Sequence, residues 1–413
     1  MNELEVWLDD ASLGGNTLVG HLNRNASKTG DTLRFDYAQA WLDSAYSVPA
    51  FALDPELGLV SGAHYASAGA DQLSGIFLDC SPDRWGKMLM ERREVIEARE
   101  QNRKVLSLRS WDFLTGVHDE SRMGALRLRN ASGQFVDSRA LSAPPFTELR
   151  ALEAAADRVE RGDQQVDKWI KQLIAPGASL GGARPKASFQ DTDGTLWLAK
   201  FPALEDRRDV GLWEYLASQL SRDAGIATPP TRVYALSGRG HTFAVQRFDR
   251  TPGSRRLYSS AMTRLARHES DGASYLDLVE AIETGGASTQ IDTQLEQLFR
   301  RVLFNILIGN RDDHLRNHGF LRVGNGWVLS PAFDVNPNPD KGEHVLSFDG
   351  ADASPDSALL FATAGFYRLK PAAANAISLQ VRNAVRGWDQ KAKALGLSRD
   401  QIELMRDVID SER

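Results

Sequence analysis

The sequence of 413 residues contains a single cysteine, Cys80. One cysteine excludes an internal disulfide framework and any zinc module built on cysteine pairs, and a small buried hydrophobic side chain is its expected role. No stretch approaches the ~20 consecutive apolar residues that span a bilayer. The first ten residues carry acidic side chains and lack the basic and apolar regions of a secretory signal. We therefore expect a cytoplasmic protein without a membrane partner.

An excess of basic residues is also missing. Lysine and arginine number 49, aspartate and glutamate number 55, and the formal net charge is −6. This balance argues against broad binding to nucleic acids or membrane surfaces. Apolar residues make up 42% and charged residues 25% of the chain, which is typical of a globular protein.

The chain is predicted to have three parts. Residues 1–135 form an α+β unit, in which Leu4, Val6 and Leu8 alternate with polar residues as in a half-buried strand. A polar stretch that ends in Pro144 and Pro145 marks a linker. Residues 136–250 form a small lobe with strands, and residues 251–413 are mainly helical.

Several helices and hairpins are predicted from local patterns. A helix is expected over 146–173 and another over 210–224, and the Asp-Gly turn at 193–194 indicates a hairpin. The most regular apolar stripe runs from Leu295 to Leu307 and stops at Gly309. The spacing of Ile377, Val381, Val385 and Trp388 predicts one further helix.

A polar, charge-dense loop follows the apolar stripe. Asn317 lies five positions after Asp312, which is the interval between the base and the magnesium-binding asparagine in protein-kinase catalytic loops. Asp334 comes after a short apolar strand and is suited to bind a metal ion that bridges phosphates. Taken alone, this spacing is also compatible with a solvated acidic loop.

Upstream residues support the kinase interpretation. Glycines at 181 and 182 allow close backbone approach to phosphates, and Lys200 lies within an apolar strand. A buried lysine needs a partner or a cleft, and Glu214 in the following helix is a candidate partner. A lysine at a strand end that extends to solvent is the alternative for Lys200.

Other nucleotide and metal motifs are absent from the sequence. Neither the Walker pattern nor the dinucleotide-binding glycine pattern occurs. His314 and His318 lie four apart, but no glutamate stands between them as in a zinc protease helix. His314 is therefore expected to order the loop or contact a phosphate.

The combined pattern resembles the HipA family of bacterial serine/threonine kinases, the toxins of toxin–antitoxin modules. The segments that carry the resemblance are Asp79–Arg84, Arg122–Leu126, Ser179–Lys186, Lys200, Trp213–Tyr215, Gln246–Arg250, Asn305–Phe320 and Ser330–Asp334. The resemblance implies a two-lobed, kinase-like α+β fold with a small sheet-containing lobe, a large helical lobe and an N-terminal α+β subdomain.

The resemblance also implies roles for individual residues. Asp312 is the expected catalytic base, and Asn317 and Asp334 are expected to hold Mg²⁺. Ser179 aligns with a serine that such kinases autophosphorylate, and Glu214 is the expected structural partner of Lys200. The residues expected to contact ATP are Gly181, Gly182, Ala183, Arg184, Pro185, Lys186, Lys200, Gln246, Arg247, Phe248, His314 and Phe333, with the contact at 246–248 largely through the backbone.

The family further implies partners. A helix-turn-helix antitoxin is expected, with DNA reached only through it, and a translation factor such as an aminoacyl-tRNA synthetase is the expected protein substrate. Two alternatives stay open: a small-molecule kinase with the same lobes, and a non-catalytic co-repressor bound to its antitoxin. Retention of Lys200, Asp312, Asn317 and Asp334 together argues against the second alternative.

Overall fold

The computed structural model describes residues 2–28, 30–46, 48–67, 72–137, 143–163, 173 and 182–410, and the elements named below lie within them. The strands are β1 (Glu3–Asp10), β2 (Gly15–Ala26), β3 (Asp31–Tyr37), β4 (Ala63–His64), β5 (Leu126–Arg129), β6 (Lys186–Gln190), β7 (Leu196–Lys200), β8 (Thr231–Ser237), β9 (Gly240–Gln246), β10 (Arg250–Thr251), β11 (Ser254–Arg255), β12 (Tyr258–Ser260), β13 (Gly319–Val323) and β14 (Gly326–Leu329).

The α-helices alternate with these strands and dominate the second half of the chain. They are α1 (Gln39–Leu42), α2 (Gly75–Asp79), α3 (Arg84–Glu100), α4 (Ser110–Thr115), α5 (Leu149–Glu160), α6 (Val210–Asp223), α7 (Ala261–Arg264), α8 (Tyr275–Gly285), α9 (Ile291–Ile308), α10 (Ser357–Ala362), α11 (Pro371–Val385), α12 (Trp388–Ala394) and α13 (Arg399–Arg406). The helix predicted over 146–173 is present in its first half as α5, and residues 164–172 lie outside the described part.

The chain divides into two compact units. The first unit comprises Met1–Leu204, Arg247–His268 and Leu321–Asn325, and the second comprises Glu205–Gln246, Glu269–Phe320 and Gly326–Arg413. The division into 1–135, 136–250 and 251–413 that the sequence indicates stays a prediction.

The first unit is built around a five-stranded sheet with the order β4-β3-β2-β1-β5. Leu4, Val6 and Leu8 of β1 are all buried, so the predicted alternation is confirmed. Cys80 is also buried, and burial raises the pKa of its thiol to about 12. Its role as a small core side chain is therefore confirmed. The predicted hairpin is formed by β6 and β7, which pair antiparallel.

The second unit is organised around α9. Every residue from Leu298 to Ile308 is buried, and the helix packs against α8 and α11. The predicted stripe is confirmed, and burial on all sides explains why the helix is apolar well beyond one face. The prediction that Trp388 continues the helix of Ile377 was wrong: α11 ends at Val385, Gly387 has φ +75°, and Trp388 begins α12.

A further hairpin is formed by β8 and β9, which pair antiparallel. Among the described residues, no helix combines the length and the apolar character that a membrane crossing requires.

Candidate functional site

The candidate site is built on the loop that follows α9. The helix ends at Ile308, and Gly309 has φ +67°, the left-handed conformation that favours glycine. A Cβ atom on Gly309 would lie 2.4 Å from Cγ1 of Val408. Glycine is therefore needed here both for its backbone conformation and for close packing, and the chain leaves the helix in a fixed direction.

The side chain of Asp312 is open to solvent, with 56% of its surface exposed. Lys341 Nζ donates a hydrogen bond to its Oδ1, and no other donor from the described residues reaches the carboxylate. The backbone carbonyl of Asp312 accepts a hydrogen bond from Asn317 Nδ2 at 3.3 Å. An exposed carboxylate on a fixed backbone is suited to accept a proton from a substrate hydroxyl.

The neighbouring Asp313 is buried and anchors the loop from beneath. Its Oδ2 accepts hydrogen bonds from Tyr275 Oη at 2.7 Å, Asn305 Nδ2 at 2.9 Å and His318 Nε2 at 2.7 Å. Burial alone would raise the pKa of Asp313, but the charge and hydrogen bond of His318 and the hydrogen bond of Tyr275 hold it below its usual value. Burial and the nearby carboxylate raise the pKa of Tyr275 well above its usual value.

Asn317 is buried and has one polar atom that the described residues leave unsatisfied. Its Nδ2 donates to Asp312, whereas its Oδ1 is buried without a hydrogen-bond partner in that part of the chain. The same is true of Nδ1 of His314. Water or a bound ligand can satisfy buried polar atoms of this kind. An amide oxygen of this kind is suited to coordinate a hard cation.

Asp334 follows β14 and has φ +57°. Positive φ is uncommon for residues other than glycine, although aspartate and asparagine tolerate it best. A small cavity of about 10 Å³ is lined by Asn317 and by Phe333 and Val335, which flank Asp334. The cavity has room for about one water molecule. The two predicted magnesium ligands therefore belong to loops that meet at one small cavity.

The donor set fits magnesium better than a transition metal. Among the described residues there is no group of three or more His, Cys, Asp or Glu side chains placed to hold a metal ion. Magnesium is commonly bound by one or two carboxylates together with water and substrate phosphates. The carboxylate of Asp334 and the amide oxygen of Asn317 fit that mode.

Three other predicted residues also lie in the second unit. Phe333 is buried at the cavity, and Glu214 is buried in α6. Gln246 ends β9, and its backbone N–H donates to the carbonyl of Pro230 at 3.0 Å. The roles predicted for these residues in nucleotide binding and ion pairing stay predictions.

In the first unit, Gly182, Ala183, Arg184 and Pro185 lead into β6, which begins at Lys186. Ser179 and Gly181 lie outside the described residues. The role of this segment in contacting ATP stays a prediction.

The ammonium of Lys186 has a partner that the sequence did not indicate. Its Nζ is 2.6 Å from Oδ2 of Asp83, and both side chains are buried. Asp83 also accepts a hydrogen bond from the backbone N–H of Gly86 and so caps α3. The backbone carbonyl of Lys186 accepts a hydrogen bond from Trp85 Nε1 at 3.0 Å. Lys186 thus ties the start of β6 to α3.

Lys200 and Arg247 are both buried in the first unit. Lys200 ends β7 opposite Lys186. Arg247 donates two hydrogen bonds to Asp249, at 2.7 Å and 2.6 Å, and its backbone N–H donates to the carbonyl of Leu196. The guanidinium of Arg247 is therefore structural, which leaves its backbone carbonyl for the predicted ATP contact.

The buried Asp249 is the centre of this cluster, and Phe248 lies beside it. Burial acts to raise the pKa of Asp249, but Arg247 and Arg250 outweigh burial and hold it far below its usual value. The ring of Phe248 packs on Tyr258 with centroids 6.0 Å apart. Its predicted contact with ATP stays a prediction.

Two residues of the site were missed by the sequence analysis. Asp313 lies next to the predicted base Asp312. In the sequence the two aspartates look alike, and they differ only in the environments that the fold gives them. Lys341 lies 29 positions from Asp312, in a loop with no recognisable motif. No local signal in the sequence identifies it.

Comparison with known proteins decides the family. The family model described as the HipA-like C-terminal domain matches residues 178–390, which is just over half of the chain. The chain belongs to this family. The match includes α9, the loop with Asp312 and Asn317, and the segment with Asp334.

Individual relatives agree with this assignment. The serine/threonine-protein kinase toxin HipA of Shewanella oneidensis is 22% identical over 357 residues, which cover 78% of this chain and 73% of that protein. A protein of Sinorhizobium fredii that is named as a kinase, Y4dM, is 28% identical over 159 residues, which cover 34% of this chain and 37% of that protein. The chain is therefore a kinase homologue.

The fold is shown by a solved structure from a Shewanella oneidensis complex of HipA, HipB and operator DNA. It matches 98% of this chain and 94% of its own chain, with a TM-score of 0.64 and 18% identity. The fold class predicted from the sequence, a kinase-like α+β fold, is confirmed. The resemblance to HipA proteins is confirmed as well.

Proposed function

We propose that this HipA-like chain is a Mg²⁺- and ATP-dependent serine/threonine protein kinase that acts as the toxin of a toxin–antitoxin module. The observation that carries the proposal is the environment of Asp312. Its carboxylate is exposed, whereas the loop around it is fixed by the buried carboxylate of Asp313 and by Asn317. A reactive group held in this way is accessible and preorganised at the same time.

The chemistry follows from the position of the base. The oxygen of an acceptor hydroxyl forms a bond to the γ-phosphorus of ATP, the bond from that phosphorus to ADP breaks, and the hydroxyl proton passes to Asp312. Asn317 Oδ1 and the carboxylate of Asp334 would hold Mg²⁺. When bound, the ion neutralises negative charge on the phosphates. The hydrogen bond from Asn317 Nδ2 to Asp312 links the ligand to the base.

Nucleotide contacts are proposed from the resemblance. They comprise the segment Gly181–Lys186, Lys200, the backbone of Gln246–Phe248, His314 and Phe333. Among these, the unsatisfied Nδ1 of His314 supports a contact with a polar ligand. Glu214 is proposed as the partner of Lys200.

Ser179 is proposed as an autophosphorylation site. A phosphate there would add about −1.5 to −2 charge beside the proposed phosphate-binding segment. The added charge would repel ATP and inactivate the kinase. Mass spectrometry after prolonged incubation with Mg²⁺ and ATP tests this step, and an unmodified Ser179 would contradict it.

The biological setting is proposed from the relatives. The solved HipA was captured with HipB and operator DNA, which supports a helix-turn-helix antitoxin as the partner of this chain. The formal net charge of −6 supports DNA contact through that partner only. A translation factor such as an aminoacyl-tRNA synthetase is the proposed protein substrate.

A transfer assay tests the proposed function against its alternatives. The purified chain is incubated with Mg²⁺ and γ-labelled ATP, in one reaction with the protein fraction of a bacterial lysate and in another with its small-molecule fraction. Addition of EDTA provides the metal-free control. We expect label in acid-precipitable protein, on serine or threonine, that disappears with EDTA.

The other outcomes are distinct. Label confined to the small-molecule fraction would identify a small-molecule kinase and contradict the protein-kinase proposal. No label in either fraction, with ATP binding retained, would identify a non-catalytic co-repressor.

A further inference from the structure

The loop that follows Asp334 is bonded to the catalytic loop at three points. The backbone N–H of Asn338 donates to the carbonyl of Gly309 at 2.9 Å. Arg311 Nη1 donates to the backbone carbonyl of Lys341, and Lys341 Nζ donates to Oδ1 of Asp312. The segment Asn336–Lys341, here called the strap, therefore connects the loop of the proposed metal ligand with the loop of the proposed base.

The backbone of the strap is fixed independently of the Lys341 side chain. Oδ2 of Asp340 lies 3.0 Å from Nη1 of Arg208, and Asn336 Nδ2 donates to the carbonyl of Val210 at 3.3 Å. The strap therefore lies beside the start of α6, and the backbone bond from Asn338 to Gly309 also holds it. Removal of the Lys341 ammonium would leave these contacts in place, so the effect of the ammonium on Asp312 can be examined by itself.

The pair between Lys341 and Asp312 is too exposed to be explained by stability. The two side chains are 42% and 56% exposed, and solvent-exposed ion pairs contribute little to folding. The location of the pair instead affects the carboxylate of Asp312. The ammonium engages Oδ1, and no donor from the described residues engages Oδ2. One carboxylate oxygen is held while the other stays available.

We propose that Lys341 is a positioning residue of the phosphoryl-transfer site, an inference that rests on the proposed kinase function. Its charged hydrogen bond to Oδ1 fixes the rotation of the Asp312 carboxylate and presents Oδ2 to the acceptor hydroxyl. Charge-assisted hydrogen bonds are shorter and stronger than neutral ones and restrict geometry accordingly. The exposure of the pair lets substrate reach the carboxylate without the displacement of a buried group.

The contact itself is tested without any reference to activity. A carbodiimide joins a carboxylate directly to an adjacent amine, and mass spectrometry identifies the linked peptides. We expect a crosslink between Asp312 and Lys341 in the wild-type chain and none in Lys341→Arg. The pair of Lys391 and Asp223, with Nζ 2.5 Å from Oδ2 and 41% and 52% exposure, provides a matched positive control. A crosslink at the control pair alone would overturn the proposal.

The positioning role is tested by kinetics on Lys341→Ala, Lys341→Arg and Lys391→Ala. We expect Lys341→Ala to lower kcat by about 10–100-fold, because misplacement of a reacting group costs that much. Its KM for ATP should stay within about twofold of wild type, because the ammonium acts on the base and not on nucleotide binding. Lys341→Arg should keep most of the wild-type kcat, and Lys391→Ala should match the wild type.

Each contrary result has a defined meaning. A kcat of Lys341→Ala equal to or above that of the wild type would overturn the proposal, as would an equal loss in Lys391→Ala. A failure of Lys341→Arg to recover kcat, together with a lowered Tm in both Lys341 variants, would assign a purely structural role and overturn it as well. A wild type that forms the crosslink but transfers no phosphate would contradict the proposed function and, with it, the role of Lys341.

Discussion

Two adjacent carboxylates in the candidate site have opposite environments. Among the residues that the structure describes, the exposed carboxylate of Asp312 is bonded only to Lys341, whereas the buried carboxylate of Asp313 accepts hydrogen bonds from Tyr275, Asn305 and His318. An exposed carboxylate can exchange a proton with a substrate, and a buried one with three donors is held in a single state. Within this pair of neighbouring residues, Asp312 is therefore suited to take part in proton transfer, and Asp313 is suited to hold the loop in place.

The supporting role of Asp313 predicts a loss of stability on truncation. Asp313→Ala leaves the donors on Tyr275, Asn305 and His318 without their acceptor, and we expect it to lower the free energy of unfolding by at least about 2 kcal/mol. Asp313→Asn keeps one acceptor oxygen and should lose less. Urea unfolding at neutral pH measures both. Equal stability of Asp313→Ala and the wild type would contradict the anchoring role.

The backbone of Asp334 allows a selective test of metal binding. Its φ of +57° is tolerated by asparagine as well as aspartate, so Asp334→Asn should fold normally while it loses the negative charge. We expect the variant to bind ATP about 10-fold more weakly than the wild type in the presence of Mg²⁺ and equally in EDTA. Titration calorimetry under both conditions measures the difference. Equal weakening in EDTA would show that Asp334 acts on the nucleotide without the metal.

At the scale of elements, the turn at the end of α9 determines where the catalytic loop begins. Gly309→Ala would impose both a left-handed backbone on alanine and a close contact with Val408. We expect it to lower the free energy of unfolding by about 2 kcal/mol or more. Gly324→Ala is the matched control, since Gly324 has φ +54° but open space around the added Cβ. Equal losses in the two variants would show that packing against Val408 contributes nothing.

A buried carboxylate that accepts a hydrogen bond from the first turn of α2 couples stability to pH. The buried Asp54 accepts hydrogen bonds from the backbone N–H groups of Glu56 and Ile76. Burial raises the pKa of Asp54 to about 6, against the lowering effect of these bonds. Because the folded state holds this proton more tightly than the unfolded chain, the contribution of Asp54 to stability is largest below pH ~4 and is lost as the pH rises through 6.

This coupling predicts a difference between Asp54→Asn and the wild type. Between pH 4 and pH 7 the wild type should lose about 2–3 kcal/mol of stability through Asp54, and Asp54→Asn should not. Urea unfolding at the two pH values measures the change, with the exposed Glu205→Gln as a control that follows the wild type. The same pH dependence in Asp54→Asn would contradict the assignment.

Helices could be predicted from the sequence where neighbouring residues carried the pattern. The stripe from Leu295 to Leu307 repeats with helical spacing and ends at a glycine, so α9 and the loop after it could be placed from the sequence. Trp388 was assigned to the wrong helix because its spacing continued that of Val385 across Gly387, whose left-handed backbone ends the pattern.

The contacts between distant segments were not predictable. The partners Asp83 and Lys186 are 103 positions apart in the chain, and Asp312 and Lys341 are 29 apart. Tertiary packing alone brings such residues together, and a single sequence carries no signal for the pairing. The candidate ligands of magnesium were found because their spacing is a short pattern, whereas the residues that hold them in place were not.

At the scale of the whole molecule, the HipA-like fold is retained although few residues are shared. The solved HipA matches 98% of the chain at 18% identity. The buried helix α9, its terminal glycine and the polar loop that follows form one continuous piece of the second unit. This piece carries the proposed base, one proposed metal ligand and the buried carboxylate that anchors them. The proposed kinase activity therefore depends most directly on Asp312 as the base.

A single-turnover phosphoryl-transfer assay that compares the wild type with Asp312→Asn tests the role of Asp312 as the base. The two proteins receive labelled ATP, Mg²⁺ and a protein acceptor fraction, nucleotide affinity is measured in parallel, and the exposed Glu269→Gln serves as a control with wild-type transfer. We predict that Asp312→Asn lowers the transfer rate by at least about 100-fold and binds ATP as tightly as the wild type. Transfer by Asp312→Asn at the wild-type rate would contradict the role of Asp312 as the base.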